Sequence, residues 1–274
     1  MVFNKINKLL EEFIAELFIV EGEITDLITR QTLENLNAKG QSHASAIAVG
    51  STLLGQLGSA ALAGIAASDD GVNVSEFAIE LTDHAGVKHL FKGCFPEVVF
   101  KKGDQVKVIA HPFKRDYGYV SAIIDIKNNY IWTSQQVESG RFRYRILWMK
   151  LSVCGCLFVL LIMATYDFFH ADSIDLMLLS NTFIQKISLF LIFIFSFIGW
   201  RVGASFDEQS IELEAILKKL GFYKPTMMSL NNYSIFNVKK NNKEKDITYP
   251  DRWEQYTYRI DLAQKDDAEK YGKK

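Results

Sequence analysis

Two long apolar segments limit what this chain can fold into more than any other feature. The first has no formally charged residue from Leu151 to Tyr166, and the second has none from Ile187 to Trp200. A helix of about 20 residues crosses the hydrocarbon core of a bilayer, and inside lipid it must satisfy its own backbone hydrogen bonds. We therefore predict a transmembrane hairpin over residues 141–204, with helices at about 146–167 and 183–203. The alternative is a pair of buried core helices in a soluble protein.

The residues that flank these segments predict how the hairpin is oriented. The expected interfacial anchors are basic and aromatic residues at the outer ends of the helices: Arg141, Arg143, Arg145, Trp148, Trp200 and Arg201. The connecting loop carries Asp172 and Asp175 instead. Because basic residues stay on the cytoplasmic side and tryptophan favours the interface, we expect the loop outside and both termini in the cytoplasm.

Alternating apolar and polar residues before the hairpin predict a β-rich cytoplasmic domain over residues 18–140. Strands are expected in 18–28, from Val74 onward and in FPEVVF at 95–100, and turn signals separate them at Asp83–Gly86 and Lys101–Asp104. Short strands about ten residues apart favour a small antiparallel barrel or sandwich. The predicted fold class is therefore an α+β membrane protein.

A Gly/Ala-rich insertion at residues 41–68 interrupts this domain. It carries no formal charge with its histidine neutral, and the expected contact or membrane-insertion residues are four glycines: Gly50, Gly55, Gly58 and Gly64. Small residues let helices approach closely, which would suit insertion and oligomer contact. Three interpretations remain open: a loose helical hairpin or loop packed on the barrel, a segment that inserts conditionally, and a third membrane crossing.

The two ends of the chain predict further helices. Residues 1–17 have the apolar spacing of an amphipathic helix, which would either cap a small domain or lie on a membrane surface. The tail, 205–274, is expected in the cytoplasm, with a helix at 206–220 behind a capping box at Ser205 and Glu208. Its polar last residues, from Gln264 onward, favour disorder.

The sequence contains no recognisable catalytic or cofactor motif, so we expect neither an enzyme nor a cofactor. His84 and His89 flank a turn without a third ligand at metal-binding spacing, and no metal is expected. Cys154 and Cys156 fall at bilayer depth, where cysteine acts as a small apolar residue. Neither soluble part is strongly basic, with 12 Lys and Arg against 17 Asp and Glu in 1–140 and 13 against 12 in 205–274, which argues against nucleic acid as a partner.

The layout resembles an uncharacterised group of bacterial inner-membrane proteins labelled as type VI secretion system effectors. The resemblance covers about 18–204 and lies in VEGEI at Val20–Ile24, the Gly/Ala-rich run, the F-x-I-x-L…F-x-G…GD-x-V-x-V series of Phe77–Val108, and the helix pair behind RFRYR. It implies the inner (cytoplasmic) membrane of a bacterium. No defined motif belongs to the group, so no functional residue carries over.

Two classes of function remain open on these grounds. The first is an antibacterial toxin that permeabilises the membrane of a competing cell as an oligomer. The second is a resident, membrane-anchored binding protein, either an immunity factor or an adaptor, that docks through its β domain. Both need the lipid bilayer and a protein partner, which would be a cognate immunity protein, a cognate effector or another copy of the chain.

Overall fold

The computed structural model describes residues 2–34, 72–114, 117–134, 138–170, 182–242 and 251–272. The chain divides into two compact units, which we term the barrel unit (Val20–Lys127) and the helical unit (Met1–Ile19 and Asn128–Lys274). The insertion at 41–68, with Gly50, Gly55, Gly58 and Gly64, lies outside the described residues. The connecting loop with Asp172 and Asp175 also lies outside them.

Five strands form the barrel unit. They are β1 (Phe18–Glu34), β2 (Val72–Asp83), β3 (Lys88–Phe95), β4 (Gln105–Lys114) and β5 (Tyr117–Asp125). Their order is β3-β2-β1-β4-β5, and a parallel pairing of β3 with β5 closes the ring. This connectivity is that of the OB-fold, a five-stranded Greek-key barrel.

The predicted barrel is confirmed, but its strands are mixed rather than wholly antiparallel. Strand directions in a closed antiparallel ring must alternate, which is possible only with an even number of strands. Five strands therefore leave one parallel pair, and the chain places it at Phe91–Gly118 and Lys92–Tyr119. The expected strand at 95–100 is also wrong, because β3 ends at Phe95 and the next residues carry no strand hydrogen bonding.

The predicted turn at Asp83–Gly86 is confirmed. The Asp83 carboxylate accepts hydrogen bonds from the backbone N–H groups of Ala85 and Val87, both at 2.9 Å, and Gly86 takes a positive φ of 78°. The hydrogen bond with His89, at 3.0 Å, and that from Val87 lower the pKa of Asp83. These contacts fix the β2–β3 hairpin through side-chain chemistry that is local in sequence.

Side chains from alternate positions of the strands fill the barrel. Phe77, Ile79 and Leu81 of β2 are buried, and so are Val106 and Val108 of β4. The ring of Phe77 also lies 4.9 Å from that of Phe95 and 5.1 Å from that of Phe100, measured between centroids. This inward face is continuous and apolar, which is what holds a small barrel together.

The helical unit contains seven α-helices and one short strand pair among its described residues. The helices are α1 (Val2–Glu16), α2 (Arg141–His170), α3 (Thr182–Gly203), α4 (Ile211–Lys219), α5 (Ile235–Asn241), α6 (Arg252–Gln255) and α7 (Ile260–Tyr271). Strands β6 (Tyr130–Thr133) and β7 (Tyr258–Arg259) pair antiparallel. Short 3-10 turns lie at Ala204–Phe206, Pro225–Met227 and Leu230–Tyr233.

The tail helix begins later than the capping box predicts. Ser205 does not cap it, because its hydroxyl donates to the Val202 carbonyl at 2.7 Å. A 3-10 turn and further turn residues come first, and α4 starts only at Ile211. The predicted stop is confirmed: Gly221 has a φ of +84° directly after the last turn.

The predicted disorder from Gln264 onward is wrong for residues 264–271, which are helical. The carboxylate of Asp267 is buried and accepts the backbone N–H groups of Tyr223 and Lys224 at 2.5 and 3.1 Å. Asp266 accepts the hydroxyl hydrogen bond of Tyr233 at 2.5 Å. The charged residues that suggest disorder are therefore used as hydrogen-bond acceptors that tie α7 to the rest of the tail.

Candidate functional site at the base of the hairpin

The two long helices, α2 and α3, pack antiparallel through small residues at one end. A Cβ atom on Gly203 would lie 2.4 Å from Cα of Arg145, and one on Gly199 would lie 2.6 Å from the carbonyl oxygen of Trp148. Gly199 and Gly203 are four residues apart, the spacing of the GxxxG motif that brings helix backbones together. We term this end, Arg141–Lys150 with Gly199–Asp207, the hairpin base.

Beyond the base, the helix pair exposes a broad apolar surface. Two spans, Arg141–Met163 and Lys186–Phe206, are long and apolar enough to cross a membrane, and little of either is buried. Leu189 and Phe193 of α3, for example, are 74% and 70% exposed. Core helices of a soluble protein bury most of their apolar surface, whereas these two helices leave most of theirs exposed in the described part of the chain.

The first basic residue of α2 is fixed by a buried ion pair. Glu214 of α4 is 1% exposed, and its two oxygens accept the backbone N–H and the Nε–H of Arg141 at 2.8 and 2.9 Å. Another guanidinium N–H of Arg141 donates to Asn7 of α1 at 2.8 Å. Burial raises the pKa of Glu214, and the hydrogen bonds and charge of Arg141 act against this rise. One arginine therefore joins α2 to both α1 and α4.

A second buried ion pair lies one turn further along α2. Arg145 donates from Nε to Asp207 at 3.0 Å, and a second N–H donates to the other oxygen of the same carboxylate. The guanidinium carbon also lies 5.1 Å from the ring centroid of Trp200. Such bidentate pairing fixes direction as well as distance. The pair thus holds the beginning of α2 against the residues that follow α3.

Stacked aromatic rings surround these ion pairs. The ring of Phe206 lies between those of Tyr144 and Trp148, with centroid distances of 5.1 and 5.8 Å and nearly parallel planes. Phe142 lies 6.1 Å from Trp200 on the same end of the helix pair. Phe142 and Trp200 flank the guanidinium of Arg145, whose carbon lies 6.0 and 5.1 Å from their ring centroids, and its pair with Asp207 is buried.

Helix α1 covers α4 within the same unit. Its apolar residues Ile6 and Leu10 are buried, and Glu11 pairs with Lys218 of α4 at 2.6 Å. Lys219 also donates to the carbonyl oxygen of Ile14 at 3.4 Å. These contacts match a helix that caps a folded unit, which was one of the two interpretations that its sequence left open.

The predicted anchors therefore divide into two sets. Arg141 and Arg145 are buried in ion pairs, and Trp148 and Trp200 are partly buried in the ring stacks, while Arg143 and Arg201 are exposed. The sequence interpretation missed the partners Asp207 and Glu214, since each lies more than 60 positions from its arginine. It also missed Gly199 and Gly203, which the GxxxG spacing at the end of α3 would have indicated.

The barrel unit presents a separate aromatic cluster at the β4–β5 hairpin, formed by His111, Phe113, Tyr117 and Tyr119. The ring centroid of Tyr119 lies 5.3 Å from that of His111 and 5.8 Å from that of Phe113. Phe113 and Tyr117 are about half exposed, and His111 contacts the hydroxyl of the buried Ser121 at 3.3 Å. Exposed aromatic residues on a rigid sheet are typical centres of protein interfaces.

Within the described ranges, no group of three or more histidine, cysteine, aspartate or glutamate residues is arranged to hold a metal ion. Cys156 is buried and Cys154 is exposed on α2, both among the apolar residues of that helix. His89 contacts Asp83 in a turn rather than a group of metal ligands. Among the residues that the structure describes, the hairpin base and the aromatic cluster are the candidate sites.

Comparison of the chain with protein families, curated proteins and solved structures found no match.

Proposed function

We propose that this protein resides in a membrane through its helix pair and acts as a binding protein through its β barrel. The observation that carries the proposal is the hairpin base, where Glu214 and Asp207 hold α2 by two buried ion pairs. Removing one partner of a buried pair costs about 3–5 kcal/mol, so the helix pair is costly to detach from the folded tail. This design suits a fixed anchor better than a segment that must rearrange.

The proposed location is the inner membrane of a bacterium, with the hairpin base at the cytoplasmic side. Exposed Arg143 and Arg201 at the base and apolar surface beyond it support this orientation. Reporter fusions at residues 135 and 274 should both report cytoplasm, and one at Ser173 should report periplasm. A periplasmic signal from residue 135 would contradict the proposed topology and revive a crossing at 41–68.

The proposed docking surface is the aromatic cluster of the barrel, and the proposed partner is a protein such as a cognate effector. A photo-crosslinking residue placed at Tyr117 should give a discrete crosslinked species in cells that contain the partner. Ile28, exposed on β1 outside the cluster, is the matched control position and should give none. Equal crosslinking from both positions would indicate random collision and reject the cluster as the docking surface.

A second candidate is the effector function that the resemblance implies, in which the protein permeabilises a competitor's membrane. The feature that favours it is the absence of formal charge in 41–68, together with the small residues Gly50, Gly55, Gly58 and Gly64. The helix pair alone is a poor pore, because two helices cannot enclose a water-filled path. An effector would need oligomers and a cognate immunity protein.

Membrane potential distinguishes the two candidates. Cells that express the full chain are followed with a voltage-sensitive dye, with fractionation to establish that the protein is in the inner membrane. The anchored binding protein leaves the potential unchanged, whereas an effector depolarises the cells without lysis. Replacing Gly55 and Gly58 with leucine should reduce depolarisation if the Gly/Ala-rich run forms helix contacts in the effector. Depolarisation by the wild-type chain would overturn the anchored binding function.

A further inference from the structure

We propose that the hairpin base binds the head groups of anionic phospholipids through Arg143 and Lys150 on one side of the helix pair and Arg201 on the other. This inference rests on the proposed membrane residence and adds a ligand to it. The five basic residues of the hairpin base lie in two different environments. Arg141 and Arg145 are buried and neutralised by carboxylates. The other three are exposed, and none of them has an acidic partner among the described residues.

These three cations lie at similar positions along the axis of the helix pair. Gly199 and Gly203 of α3 meet Trp148 and Arg145 of α2, which places Arg201 level with the α2 segment between them. Because Arg201 is two residues from each glycine, it lies on the face of α3 that points away from α2. Arg143 and Lys150 are seven residues apart, so they lie on one face of α2, about 10 Å apart along its axis. This separation is similar to the thickness of one interfacial region of a bilayer, about 5–8 Å.

The surroundings of the band favour a lipid over a soluble anion. Exposed Leu147 and Leu151 are interspersed with the cations on α2, and exposed Phe197 and Ile198 precede Arg201 on α3. A ligand beside either helix at this level would contact charge and apolar surface together, as a phospholipid does. Arginine matches phosphate with paired N–H donors, and lysine adds a point charge. The buried ion pairs hold the two helices in register and leave these three cations exposed.

The test uses the full chain purified in a neutral detergent and titrated with phosphatidylglycerol or phosphatidylcholine, with binding followed by native mass spectrometry. Phosphatidylglycerol should bind more tightly, and this preference should weaken as salt rises. Each cation near an anionic surface contributes enough for about a fivefold change in affinity. The site variant Arg143→Gln/Lys150→Gln/Arg201→Gln should therefore lose most of the preference.

The matched control, Lys102→Gln/Lys127→Gln/Lys265→Gln, removes the same charge from exposed positions that do not belong to the hairpin base. It should retain the preference, and an equal loss in both variants would show attraction by net charge and overturn the site. Competition by inorganic phosphate at millimolar concentration would indicate a free-anion site and also overturn it. If the site variant fails to fold, the salt dependence of the wild-type preference decides, since a preference that salt does not weaken excludes these cations.

Failure of the inference is distinguishable from failure of the proposed function. Flotation of the wild-type chain with vesicles of phosphatidylcholine alone tests membrane insertion without the anionic head group. A chain that floats with these vesicles but shows no preference for phosphatidylglycerol retains its anchor and lacks the site. A chain that does not float with either lipid lacks the anchor, and the proposed function then fails together with the inference.

Discussion

Removing one partner of the ion pair between Arg141 and Glu214 should destabilise the protein strongly. In Glu214→Ala, the guanidinium and the backbone N–H of Arg141 both lose their acceptors inside the protein, at a position where Arg141 is 5% exposed. The contact with Asn7 remains but compensates only one N–H group. Loss of one partner of a buried pair costs about 3–5 kcal/mol, a large part of the about 5–15 kcal/mol that stabilises a typical domain.

The measurement is unfolding of the full chain in mild detergent, followed by tryptophan fluorescence across a guanidinium gradient. The matched control is Glu12→Ala on α1, which removes an exposed pair with Lys8 at 3.5 Å and should cost at most about 0.5 kcal/mol. The double change Arg141→Met/Glu214→Leu removes both charges and should recover much of the stability. A Glu214→Ala protein within about 1 kcal/mol of the wild type would refute the argument that this pair fixes the hairpin base.

Three further predictions concern packing and pH. Gly203→Val should destabilise the helix pair by about 1–3 kcal/mol through overpacking against α2, whereas Gly155→Val, with nothing within 4 Å, should leave its thermal unfolding unchanged. Val108→Asp should unfold the barrel by burying an unpaired charge, seen as loss of dispersed amide signals in NMR spectra. Because the pKa of Asp83 is lower in the folded protein, its stabilisation is present above its unfolded value of 3.8 and disappears as pH falls through the folded value. Asp83→Asn should therefore flatten the acid limb of the stability curve.

Three residues of the sequence patterns that carry the resemblance have packing roles in the barrel. Gly22 in VEGEI faces the backbone of Thr82, where an added Cβ would lie 2.2 Å from the carbonyl oxygen. Gly93 meets the ring of Phe77, and Val108 is fully buried. Each of these three residues therefore has a structural reason in the barrel. This explains why the sequence allowed a barrel to be predicted.

What the sequence could not reveal has a common physical cause. The helix pair was predictable because apolar length is a local property of the chain. The pairing of Arg145 with Asp207 joins positions 62 residues apart, and nothing near either residue indicates the other. Helix α7 was missed for the same reason, since its Asp267 is satisfied by backbone amides of a distant segment. The local composition of α7 favours disorder, but tertiary hydrogen bonds hold this segment as a helix.

The hairpin base also bears on the choice between the two functions. For the helix pair to enter a membrane as an independent toxin segment, α2 would have to leave Glu214 and Asp207 behind. That separation exposes two arginines and two carboxylates to new environments, at a cost that grows with each buried pair broken. An anchored protein keeps both pairs in every state, because its tail and its helices fold as one unit. An effector that uses this same helix pair must instead insert with the tail still attached.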